Sequence, residues 1–213
     1  MKIIQDIQPR GMYPDYVIAP FDKAKQDLES KGYSIISLEQ NARLRMQEGK
    51  GSFVSRNGNW TREAFLYNPE TNLWYLTKKS PIMDFPVEAT NAHRKGREYF
   101  LTNEQVQRAL EDSVEVKDRE IPTDRFGEDP LAVYAFGDSA QVYGLFLKDA
   151  NIKKMPIWLP DSREKPFARQ LWFRYLDDWS VLDGDYMGLL SGRMRGVRDA
   201  EGIANAKIST GNK

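Results

Sequence analysis

No run of apolar residues in this chain is longer than the six from Leu131 to Phe136. A helix that crosses a bilayer needs ~18–20 of them in succession. The core must therefore be assembled from many short segments, which predicts a mixed α/β or α+β protein with helices packed on a mixed sheet. Hydrophobic residues make up 40% of the 213, and 31 basic residues balance 31 acidic ones. A chain so apolar and so neutral is expected to fold around its own core. Gln5 and Asp6 interrupt the stretch from Met1 to Ile7 where a signal peptide needs apolar residues. A soluble, cytoplasmic protein with no membrane partner is the expectation.

Two βαβ-like units are expected to flank an antiparallel meander. Tyr16 to Ala19 reads as a strand, Asp22 to Lys31 as a helix stopped by Gly32, and Tyr33 to Ser37 as a second strand, a crossover over about 16–37. Ser37 and Gln40 have capping-box spacing, and Leu38, Ala42 and Met46 share a face, so a helix follows. Strands around Phe53, over 60–67 and over 73–77 form the meander of about 52–77, with Asn57-Gly58-Asn59 as a turn. Pro81 and Pro86 argue against regular structure between Ser80 and Gly96, and Tyr99 to Leu101 reads as a short strand. Thr102 and Gln105 repeat the capping-box spacing ahead of a helix, and Val114 to Lys117 is a strand. The second unit, about 131–159, takes Leu131 to Phe136 as a strand, then a turn and helix, then Met155 to Leu159. Phe167, Leu171, Tyr175 and Trp179 recur every four residues, which favours a helix over the alternative strand. Residues 1–198 are read as one compact domain with a possible internal boundary near 121–130, marked by Pro122, Gly127 and Pro130, and 199–213 as a flexible tail.

The residue inventory excludes several chemistries. With no cysteine there is no disulfide framework, thiolate zinc site or cysteine nucleophile, and a single histidine, His93, rules out sites needing two imidazoles. Any metal would sit on oxygen ligands, as Mg²⁺ or Ca²⁺ does. His93 has no orienting carboxylate or nucleophile beside it in sequence and reads as a solvated loop residue.

The most distinctive candidate site is Gly137, Asp138, Ser139 and Ala140 between an expected strand and a helix. Free N–H groups at a helix N-terminus bind phosphate or carboxylate. Arg169 or Arg174 is the expected cation that would offset Asp138, and a simple helix cap is the competing reading. Gly137-Asp138-Ser139 also resembles the nucleophile block of GDSL-type hydrolases over those three residues. In that family the block lies near the N-terminus and an Asp and a His follow near the C-terminus; here His93 precedes it, so no catalytic role is carried across.

Glu115-Val116-Lys117 in a strand, with Asp84 upstream, is similar to the metal-binding core of PD-(D/E)xK nucleases. The resemblance implies Mg²⁺ on Asp84 and Glu115, with Lys117 stabilising developing negative charge. Asp177, Asp178, Asp183 and Asp185 form a second carboxylate group that could hold a divalent ion or simply build a turn around Gly184.

Charge is balanced overall but not locally. Arg43, Arg45, Lys50, Arg56 and Arg62 face a single acidic residue, Glu48, between 41 and 62, and Phe53 and Trp60 interleave with them. Cations that neutralise phosphates beside aromatics that stack on bases suit nucleic acid or another anionic partner. Arg193, Arg195 and Arg198 pose the same choice near the end of the chain. On a helical wheel Phe173 lies away from Leu171, so a homodimer through the aromatic region 158–179 is also expected. The function expected from these readings is non-catalytic interaction or anionic-ligand binding, without a cofactor. A Mg-dependent hydrolase or nuclease on clustered carboxylates is the alternative.

Overall fold

The computed structural model describes residues 13–176, 180–185 and 188–198. The first crossover is present: β1 (Tyr13–Ala19), α1 (Phe21–Ser30) and β2 (Ser34–Ile35). Its two strands do not touch. Both run antiparallel to β10 (Gly192–Arg198), which lies between them and makes them parallel to each other. Next come α2 (Leu38–Glu48), a single turn α3 (Phe53–Arg56), β3 (Asn59–Asn68) and β4 (Leu73–Thr77). In α2 the Ser37 hydroxyl accepts the Gln40 N–H, and the Gln40 side chain accepts the Ser37 N–H. Around Phe53 the expected strand is this turn of helix, because the Ser52 side chain caps the Ser55 N–H.

The stretch expected to be irregular holds α4 (Pro81–Asp84) and α5 (Pro86–Arg94). Each proline occupies the first helical turn, where its missing N–H costs nothing. The expected strand at 99–101 reduces to one bridge, Phe100 with Phe167. The second capping box forms as expected in α6 (Asn103–Leu110), followed by β5 (Ser113–Val116) and β6 (Arg119–Pro122). The expected boundary at 121–130 begins inside the sheet, where Ile121 is paired with Met155.

The strand expected at 131–136 is a helix, α7 (Pro130–Phe136), so the second βαβ-like unit is not formed. The Asp129 carboxylate accepts the N–H groups of Leu131 and Ala132 at 3.0 and 3.1 Å, and Pro130 supplies the first helical position. A six-residue apolar run does not distinguish strand from buried helix; the capping aspartate and proline do. A 3₁₀ turn (Gly137–Ser139) leads to α8 (Ala140–Asp149) and β7 (Lys154–Trp158). The segment favoured as a helix is β8 (Phe167–Phe173), and β9 (Leu182–Asp183) precedes β10.

These strands form one mixed sheet in the order β1-β10-β3-β8-β9-β7-β6, with β2 on β10, β4 on β3 and β5 on β4. Helices cover both faces. Phe65, Leu171 and Phe173 join residues of α2, α7 and α8 in one apolar cluster, while Leu66, Ala168 and Trp172 point the other way, to residues of α1, α4, α5 and α6. Central strands buried on both faces lose the alternation that marks a half-exposed strand, and this is why the 167–173 segment is misleading in sequence. Phe173 and Trp172 are buried, so the exposed Phe173 on which the expected homodimer rests is not found; Trp179 lies outside the described residues. Among the described residues no helix is long and apolar enough to cross a membrane.

Candidate functional site

The turn at 137–140 joins two helices and not a strand to a helix. Gly137 takes φ +53°, a left-handed conformation that favours glycine, and a Cβ there would lie 2.8 Å from a Glu39 carboxylate oxygen. The neighbourhood expected to draw an external anion already holds one from α2. The Ser139 side chain makes no cap hydrogen bond; its hydroxyl accepts the Arg43 Nε–H at 2.8 Å, and Arg43 is ion-paired with Glu39. The expected cations are engaged by carboxylates of other segments. Arg169 pairs with Glu98 at 2.6 Å, and Arg174 pairs with buried Asp183 at 2.7 Å while lying over the Trp158 ring.

Of the carboxylate candidates, Asp84, Glu115 and Asp183 are likewise committed within the chain. Asp84 on α4 faces Arg108 of α6 at 3.4 Å, while Glu115 on β5 pairs with Lys117 at 3.1 Å. Asp183 receives Arg174 on one oxygen and the Asp185 N–H on the other; Asp177 and Asp178 lie outside the described residues. Among the described residues no three histidine, aspartate or glutamate side chains converge where a metal ion could be held. His93, expected in a loop, is in the last turn of α5 and lines a small cavity with Arg97, Glu98 and Arg169.

The basic stretch 41–62 divides into separate environments. Arg45 is fully buried: its guanidinium lies 3.8 Å from the Phe173 ring centroid and donates to Tyr143, to Ser180 and to the Arg174 carbonyl, with no carboxylate among these partners. Trp60 is buried beneath Gly192, but Phe53 is 44% exposed. Phe53 meets Tyr16 of β1 with ring centroids 4.7 Å apart. Beneath it lie two guanidinium groups from β10, Arg193 at 5.2 Å and Arg195 at 5.7 Å from the ring centroid.

This arrangement follows from strand geometry. Met194 turns into the core, so Arg193 and Arg195, at i and i+2, share the opposite face. Tyr16 is opposite Arg195 in the ladder and Ile18 is opposite Arg193, so the patch spans two neighbouring strands. Arg195 is 3% exposed, yet its Nε and Nη2 have no hydrogen-bond partner. Burial, reinforced by Arg45 and Arg193, pushes its pKa down to about 10, against the attraction of Glu48. Arg193 donates to the Gly58 carbonyl at 3.3 Å and leaves its own Nε unbonded. Among the described residues neither arginine has a carboxylate within ion-pairing distance. Sequence reasoning singled out Phe53, Arg193 and Arg195 separately; their meeting depends on β10 returning beside β1, a pairing that no local spacing reveals.

No family model and no curated protein sequence matches the chain. Its structure is similar to a solved structure described as the accommodation of massive sequence variation in Nanoarchaeota by the C-type lectin fold. The TM-score is 0.66 at 15% identity, over 91% of this chain and 99% of that one. The fold of this chain is accordingly the C-type lectin fold.

Proposed function

We propose that this chain is a non-catalytic binding protein that holds an anionic partner on the face made by Tyr16, Phe53, Arg193 and Arg195. The observation that carries the reading is Arg195: a guanidinium withdrawn from water with two nitrogens unbonded. Leaving donors of a buried charged group unsatisfied is costly, and an oxyanion arriving beside Arg193 would satisfy them. The candidate catalytic carboxylates favour the same reading, because Asp84 faces Arg108 and, among the described residues, no three such groups converge where a metal ion could be held. The neighbour of the same fold is described as accommodating massive sequence variation. A frame of that kind suits a protein whose surface is selected for binding.

The test is thermal melting with inorganic tripolyphosphate, since a ligand that binds only the native state raises its stability by mass action. The expected result is a rise in melting temperature that diminishes with added salt and is lost in Arg193→Glu. An equal rise in that variant, or none in the native chain, overturns the assignment of this face.

A further inference from the structure

We propose that the Phe53 face binds single-stranded nucleic acid, with a base stacked on the Phe53 and Tyr16 rings and neighbouring phosphates held by Arg193 and Arg195. The inference rests on the anion-binding reading above and names its ligand class.

The number of unpaired cations favours a polyanion over a single compact anion. Lys50 and Arg56 flank Phe53 in sequence, and neither they nor Arg193 and Arg195 form an ion pair among the described residues. Arg193 and Arg195 alone bring two guanidinium groups to 5.2 and 5.7 Å from one ring centroid, more positive charge than one phosphodiester neutralises. Arg193 and Arg195 stand two residues apart on one strand face, about 6.8 Å along the chain, a step that neighbouring phosphates of an extended strand can match.

The rings favour a ligand with planar faces. Tyr16 and Phe53 are 45% and 44% exposed, and together they form an aromatic surface at the edge of the arginine pair. An acidic peptide would use the charges and leave that surface idle, whereas a single-stranded nucleic acid uses both. A duplex keeps its bases stacked within itself and would engage only the cations. Phe53, on a helix one turn long, stands over both guanidinium groups, so the ring and the cations belong to one patch.

The experiment is fluorescence anisotropy of the full chain with a labelled oligothymidylate, an abasic oligomer of the same length and inorganic polyphosphate, each titrated across salt concentration. The oligothymidylate is expected to bind tightest, with log K falling against log salt by about 0.7 for each phosphate contacted. Arg193→Ala should reduce that slope by about 0.7, one contact's worth. Phe53→Leu preserves an apolar side chain and removes the ring, so it should weaken the oligothymidylate on the order of tenfold while leaving the abasic oligomer unchanged. Equal binding of the abasic oligomer, the polyphosphate and the oligothymidylate, unaffected by Phe53→Leu, overturns the nucleic-acid inference and leaves the anion site standing. Binding of none of the three overturns both.

Discussion

Gly144 of α8 carries a packing constraint that its helical position conceals. A Cβ there would sit 2.5 Å from the Phe126 Cβ and 2.9 Å from the Thr123 carbonyl oxygen, so the 3₁₀ turn at Thr123–Arg125 rests directly on the helix. Alanine ordinarily favours a helix interior by roughly 1 kcal/mol over glycine. Overpacking costs about 1–3 kcal/mol, so Gly144→Ala should lower the urea unfolding free energy despite the gain in propensity. Glu63 offers a residue-level test of the opposite kind. It is 1% exposed and accepts the first amide of α2, Leu38 N–H, at 3.1 Å. Burial raises its pKa, against the pull of backbone N–H groups and Arg62. A carboxyl whose folded pKa exceeds the unfolded value of about 4.3 contributes stability below that value. The contribution disappears as pH rises through the folded value. Glu63→Gln retains an acceptor for Leu38 and cannot ionise, so its stability relative to the native chain should grow from acidic to neutral pH. Parallel urea midpoints for the two proteins across that range would remove Glu63 from the pH profile.

The N-terminus of α7 shows how one residue decides the identity of an element. Asp129 caps two amides and receives both terminal nitrogens of Arg119, at 2.6 and 2.7 Å. Burial opposes its charge, but the Arg119 fork and the amides prevail and hold its pKa below the usual carboxylate value. Its contribution is therefore complete above about pH 3.9 and lost as pH falls through the depressed folded value. Asp129→Ala should cost about 1–2 kcal/mol at neutral pH, with the deficit shrinking in acid. A deficit independent of pH in chemical denaturation would assign the loss to packing. The Ser37 and Thr102 capping boxes were legible because both partners lie within four residues. Asp129-Pro130 is equally local, but the apolar run behind it has the length of a strand. Gln170 was not legible at all: its amide nitrogen donates to the carbonyls of Thr61 and Glu63, and its oxygen accepts from Ser80 at 3.0 Å. It satisfies groups freed by the register shift between Trp60 and Ala64 in β3. A bulge whose carbonyls are satisfied by a side chain more than a hundred residues away leaves no mark on local periodicity.

At the scale of the molecule, the decisive pairing is the last one made along the chain. β10 separates β1 from β2, and Met194 of β10 reaches Trp60 of β3 in a parallel bridge. Gly192 lies so close to the Trp60 ring that a Cβ would meet it at 2.5 Å. The mixed sheet with helices was foreseeable from short apolar segments, but this order was not, because strand order depends on contacts between distant parts of the sequence. The same closure assembles the proposed binding face, since β10 carries Arg193 and Arg195 to Tyr16 and Phe53. Likeness at 15% identity to another C-type lectin fold agrees with a frame held by pattern and pairing more than by particular residues. We propose that residues through 198 form one cooperative domain, because β6 and β7 extend the sheet across the 121–130 segment. Calorimetry should then show one transition whose calorimetric and van't Hoff enthalpies agree. Truncation after Ser191 should abolish that transition as a whole, since β1 and β2 would lose their shared partner and Trp60 its cover. Two transitions in the full chain, or a surviving transition in the truncated one, would instead place an independent folding unit on one side of 121–130.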